Sequence, residues 1–170
     1  MSINTVLPLG TTTPRKQPVT GLYGDQGFAP DTVVLTQKGE MPVQALSAGD
    51  RVITRDAGLV SVQHVSSSRH VVRTVAIKAG SLGDTRPDQD MILPANQAIL
   101  IRDWRAQALF GCDQAMVRAD ALVDGEFVRD LGLQDMILHQ IHLAHPHVVY
   151  AGGLELANCA MPTATLRRRA

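Results

Sequence analysis

Residues 26–40 read QGFAPDTVVLTQKGE, and the reading of this stretch decides the fold. A turn carrying Gly27, Pro30 and Asp31 runs straight into the apolar run Val33-Val34-Leu35, with no helix start and no phosphate-binding glycines in between. Lys38-Gly39 closes the run with a second turn. A strand begun this way presents the residue at its head, yet that residue is Gly27, which has no side chain to offer. The same pattern continues outward. Pro42 to Leu46 stops at Gly49-Asp50, Arg51-Val52-Ile53-Thr54 stops at Asp56-Ala57-Gly58, and a longer run extends from Leu59 to Val65. Val71 to Ala79 alternates apolar and polar residues as a half-buried strand does. Asp84 to Asp90 is a polar loop containing Pro87, Met91 to Ile101 holds two apolar runs, and Trp104 to Val117 is mixed, with one helical turn. Met136 to Tyr150 reads as a strand rich in Ile, Val and His. No segment sustains a 3.6-residue period, so the sequence predicts an all-β fold of many short strands.

A chain of 170 residues suits one domain around one core. Residues 1–25, rich in Thr, Pro and Gly, read as a flexible leader open to proteases; 26–161 as the compact β domain; and 162–170 as a tail. The net charge is +0, which gives no electrostatic case for nucleic acid or an anionic membrane surface. The basic cluster Arg167-Arg168-Arg169 reads as a solvated end. No apolar stretch approaches the roughly 20 residues a spanning helix needs. The first residues lack the basic start and apolar run of a secretory signal, so a cytoplasmic location is the default expectation, with export lacking a cleaved signal as the alternative. Two cysteines, Cys112 and Cys159, do not make a disulfide framework.

Taken in order, Phe28-Ala-Pro-Asp-Thr32, Thr36-Gln-Lys-Gly39, Val43, Leu46 and Gly49-Asp50-Arg51-Val52 resemble the first block of a Hint (hedgehog/intein) domain, in particular the bacterial stand-alone branch. Ala79 to Gly83, Leu109-Phe110-Gly111, Leu122 to Gly125 and Val148 to Gly153 continue the resemblance, which spans about Gly27 to Cys159. It implies a self-processing ancestry. In that family a Cys or Ser at the head of the first strand attacks the preceding carbonyl, turning an amide into a thioester or ester. A Thr-x-x-His element supplies a hydrogen-bond donor and proton traffic. Carried over by position, the nucleophile falls on Gly27 and the Thr-x-x-His element on Pro94-Ala95-Asn96-Gln97, so thiol, hydroxyl and imidazole are all replaced. An Asp-x-His-Glu string of the branch falls on Ala144-His145-Pro146-His147. The expectation is a degenerate site that has lost autoprocessing and serves as a structural or interaction module for an unidentified protein partner, with no cofactor.

One chemical feature survives. Asn158-Cys159 matches the Asn that cyclises at an intein's end, so residual self-cleavage there is the alternative reading, although Ala157 stands where inteins commonly place an assisting His. The series His139, His142, His145, His147 raises a metal site, since imidazole suits Zn, Cu or Ni. On a single strand only His145 and His147 would share a face at close range, with His139 about 20 Å from His145, so no metal is expected and these two are the weak candidates. Cys112, beside Asp113, lacks the cationic neighbour of a reactive thiol. Trp104 reads as a core or half-buried anchor, and Asp84, Asp88 and Asp90 as solvated turn residues whose spacing does not make a calcium loop.

Overall fold

The computed structural model describes residues 26–161 together with 163 and 164. The leader 1–25, and the tail beyond those two residues, lie outside the described residues. Eleven strands make up almost all of the regular structure among the described residues: β1 (Val33–Thr36), β2 (Gly39–Pro42), β3 (Arg51–Thr54), β4 (Gly58–Ser61), β5 (His64–Ile77), β6 (Met91–Pro94), β7 (Ala98–Ile101), β8 (Ala115–Arg118), β9 (Val128–His142), β10 (Val148–Ala151) and β11 (Leu154–Ala157). The fold is all-β, as the turn spacing predicted.

The strands form two antiparallel sheets. One runs β2-β1-β3-β10-β11-β7-β8 with β4 beside β3, and β1 also pairs with β10. The other is β6-β5-β9. The apolar residues read from the sequence meet between them: Phe28, Val34, Val52, Val75, Leu93, Ile99, Ile141, Val149 and Leu156 are all fully buried. Burial of this kind is worth roughly 1.5–3 kcal/mol per large side chain, and it ties the first block, the middle strands and the last hairpin into one core.

Three expectations are corrected. The alternation at Val71 marks only the second half of β5, which begins at His64 and pairs with β9 from His64↔His142 to Ile77↔Val128. Residues 66–71 are exposed or half-exposed throughout, because here the two strands form a ribbon wet on both faces. Nothing then imposes an in–out alternation. The stretch 136–150 is two strands: β9 ends at His142, a turn follows, and β10 starts at Val148. Pro146, which cannot donate to a ladder, sits in that turn. Trp104 is 67% exposed rather than buried, its ring stacked 4.9 Å from the Arg105 guanidinium. Among the described residues no helix is long and apolar enough to cross a membrane.

Candidate functional site

Gly27 lies just ahead of β1, held on both sides by its neighbours. Phe28 is fully buried and exchanges two backbone hydrogen bonds with His139 of β9, each 2.8 Å. That pairing draws residue 27 tight against β9. A Cβ at this position would stand 3.0 Å from the His139 carbonyl oxygen and 3.1 Å from the Leu138 Cβ. A side chain here would have to push its neighbours by a few tenths of an ångström, so the close approach of backbone favours glycine.

The peptide bond joining Gln26 to Gly27 is clamped by two side-chain amides. Gln140 Nε2 donates to the Gln26 carbonyl at 2.9 Å, and the Gly27 N–H donates to Gln97 Oε1 at 3.2 Å. Gln97 is fully buried in the turn between β6 and β7. Its Nε2 donates to the carbonyls of Ala98 at 3.1 Å and Ala157 at 2.9 Å. With both donors committed to carbonyls, the amide orientation is fixed: its oxygen must face Gly27. The turn itself is closed by the Gln97 N–H on the Pro94 carbonyl at 3.0 Å, and Gln26 Nε2 reaches the Asn96 carbonyl at 3.0 Å. Pro94 costs β6 no inward ladder bond, since β6 is an edge strand. Opposite it on β5 stands Thr74, buried, with its hydroxyl on the Gly132 carbonyl at 3.3 Å.

The last strand delivers Asn158 and Cys159 to the same region, through the Gln97–Ala157 bond. Asn158 is buried, with Oδ1 accepting from the His147 N–H at 2.7 Å and Nδ2 donating to the Ile141 carbonyl at 3.1 Å. It closes the turn between β9 and β10. Cys159 is 1% exposed, and burial pushes its thiol pKa up, away from the reactive thiolate.

The structure thus joins Gly27, Gln97 and Pro94 by hydrogen bonds and ties Gln97 to Ala157, while the next residue, Asn158, bonds to the β9–β10 turn. His145 and His147 lie elsewhere. They meet edge to face, centroids 6.4 Å apart, in the turn rather than on one strand, and His147 Nδ1 is held by Asp56 Oδ2 at 2.8 Å. No group of three or more His, Cys, Asp or Glu able to hold a metal occurs among the described residues. Gln26 and Gln140 were missed by sequence reasoning. They are 114 positions apart, and a neutral amide on a half-exposed strand leaves no periodic or motif signal.

The arrangement grips the Gln26–Gly27 peptide bond between two neutral side-chain amides. The carbonyl receives one neutral donor. The nitrogen, which must be protonated to leave, faces an acceptor oxygen instead of an acid.

The Hint domain profile matches residues 26–160, and the chain belongs to the Hint domain family. No curated protein matches it. Among solved structures the fold is similar to a bacterial intein-like domain from Clostridium thermocellum, at 14% identity over 77% of this chain and 96% of that one, TM-score 0.51. It is also similar to a DnaB intein from Synechocystis, at 10% identity over 82% of this chain and 98% of that one, TM-score 0.51. At these identities it is the fold that is shared, a Hint/intein-like fold related to self-processing modules.

Proposed function

We propose that this Hint domain does not process itself, and that it serves as a structural or protein-interaction module built on a fold whose reaction centre has been replaced by a hydrogen-bonded clamp. One observation carries the reading. The Gln26–Gly27 peptide bond is held between the neutral amides of Gln140 and Gln97, with no nucleophile at residue 27 and only tight space for a side chain there. A glutamine amide neither gains nor loses a proton near neutral pH, whereas an imidazole does both. The opposite end supports the same reading. Both ends of the Asn158 amide are tied to neighbouring backbone, which keeps Nδ2 on the Ile141 carbonyl and off its own. That geometry speaks against cyclisation before Cys159.

An interaction role is supported by the β5–β9 ribbon. Val71, Leu133 and Ile137 are 67%, 73% and 48% exposed there, beside the Arg69–Asp135 ion pair at 2.7 Å. Apolar side chains interleaved with paired charges are the make-up of a protein-binding face.

The test is the mass of the purified chain after days at neutral pH, with and without dithiothreitol. An intact chain is expected. A fragment beginning at Gly27, or one ending at Asn158, overturns the reading.

A further inference from the structure

Three arginines converge on one carboxylate where strands of the larger sheet end. Arg55 follows β3, Arg102 follows β7, and Arg86 lies in the loop before β6. All three face the same oxygen of Glu155, a buried residue of β11: Arg102 Nη2 at 2.7 Å, Arg55 Nη1 at 3.2 Å and Arg86 Nη1 at 3.6 Å. One carboxylate balances one guanidinium, so two positive charges are left over. Among the described residues no other carboxylate comes within ion-pair distance of these arginines. Asp56, next to Arg55, is held by His147, and Asp103, next to Arg102, by Arg105. The N–H donors are also under-used. Arg102 makes one side-chain hydrogen bond, to Glu155, and Arg55 makes two, to Glu155 and to Gln114 Oε1 at 3.1 Å. The Arg86 contact is an ion pair longer than a hydrogen bond, and its Nε has no partner among the described residues. Solvent reaches the cluster through Arg102 and Arg55, whose side chains are 39% and 30% exposed.

We infer that this cluster is an anion site for a phosphate-class oxyanion, seated on the exposed sides of Arg55 and Arg102 with Arg86 adding its charge. Like charges gathered on one oxygen repel one another unless a further anion joins them. A phosphate dianion carries the charge that offsets the surplus, and its oxygens accept the paired N–H groups of a guanidinium fork. A single carboxylate offsets only half of it, and chloride offers no pair of oxygens. The Gln114 bond helps to set the plane of Arg55, so one side of the fork is oriented before any ligand arrives. The chain's net charge is +0, so the field is local and suits a small ion rather than a long polyanion. The inference stands apart from the non-processing reading, since none of these residues belongs to the clamp on Gln26–Gly27.

The test titrates the full chain with inorganic phosphate at pH ~8, where the dianion prevails, against sodium chloride of equal ionic strength. The Nε–Hε resonances of Arg55, Arg86 and Arg102 are expected to shift and saturate, while those of Arg69 and Arg73 on the ribbon stay in place. Arg102→Gln should raise the half-saturating phosphate concentration about ten-fold, the loss of one charge-assisted bond, and Arg69→Gln should leave it unchanged. Glycerol 2-phosphate separates two sources of the ligand. If it binds as phosphate does, the site takes a phosphoryl group on a larger molecule; if only phosphate binds, it takes the free ion, and either result upholds the anion site. Absence of any shift overturns the inference. So does a shift that never saturates and is shared by all the arginines, which is a general salt effect, or an unchanged half-saturation in Arg102→Gln. Should Arg102→Gln fail to fold, the wild-type titration decides alone.

Discussion

Two buried polar clusters meet on β11, and they solve the same problem in opposite ways. Around Ala157 the cluster is neutral, with Gln97, Gln26 and Gln140 trading hydrogen bonds with backbone groups. Two residues earlier, Glu155 is 2% exposed and gathers three guanidiniums on one carboxylate oxygen: Arg102 at 2.7 Å, Arg55 at 3.2 Å and Arg86 at 3.6 Å. The arginines come from the ends of β7 and β3 and from the loop before β6, so the ionic cluster pins three separate segments. Breaking a buried ion pair strands a charge, while breaking a neutral network strands only dipoles. The neutral cluster holds the Gln26–Gly27 peptide bond; the ionic one serves architecture. What the difference teaches is that a neutral polar network can be altered at modest cost to the fold, whereas a buried charge commits its whole surroundings.

The largest effect should therefore come from Glu155. Glu155→Ala leaves three guanidiniums facing one another and is expected to destabilise the domain by about 3 kcal/mol, the low end for breaking a buried pair because Arg102 and Arg55 are partly exposed. Urea denaturation measures it. A loss under about 1 kcal/mol would mean the cluster behaves as a surface pair and the contrast with the glutamines fails.

Next comes the neutral cluster. Gln97→Met keeps the volume but removes the partner of the Gly27 N–H and of the Ala157 carbonyl. About 2 kcal/mol should be lost, with the fold retained. If Gln97→Met costs more than Glu155→Ala, the ranking of charge over dipole is wrong for this protein.

Smaller still is Gly27→Cys. Its Cβ must push against the His139 carbonyl and Leu138, costing about 1–2 kcal/mol. No cleavage before residue 27 is expected in dithiothreitol, since Gln97 offers the leaving nitrogen an acceptor and not a proton. Thiol-dependent scission of this variant would show that the clamp can still activate its peptide bond.

How much of this could be read from the sequence divides along the same line. Turn chemistry exposed the first block, because Pro30-Asp31, Lys38-Gly39 and Asp56-Ala57-Gly58 act locally, within reach of a short window. Gly27, Pro94 and Gln97 were placed by order along the chain, and the fold brings them together. The partners that decide what they do were not legible. Gln140 reaches Gln26 across 114 positions, and Glu155 meets arginines 100 and 53 positions away. Such pairings are set by tertiary packing and leave no periodicity. The ribbon half of β5 was hidden for a related reason: Ser66 to His70 face water on both sides, so nothing in their pattern marks a strand.

The smallest expected effect concerns a charge outside both clusters. Asp56 accepts from His147 Nδ1 at 2.8 Å and from the Val148 N–H at 3.1 Å, at the turn that Asn158 closes from the other side. Burial alone would raise its pKa, but the bonds from His147 and the backbone outweigh it and hold the carboxyl below its ordinary 3.8. A depressed carboxyl favours the folded state where it is ionised there, so this contribution is fully present above the unfolded pKa of about 3.9. It is lost as pH falls through the lower, folded value. Because the side chain is 44% exposed, solvent screening limits the pair to at most about 1 kcal/mol. Asp56→Asn isolates it, since the amide oxygen can still accept from Val148 while the charge beside His147 is gone. Stability curves of wild type and variant should run apart, wild type higher, above pH ~4 and converge below it. A gap that stays constant down to strong acid would assign the loss to packing at the turn, and a gap that widens in acid would reverse the sign of the Asp56–His147 interaction.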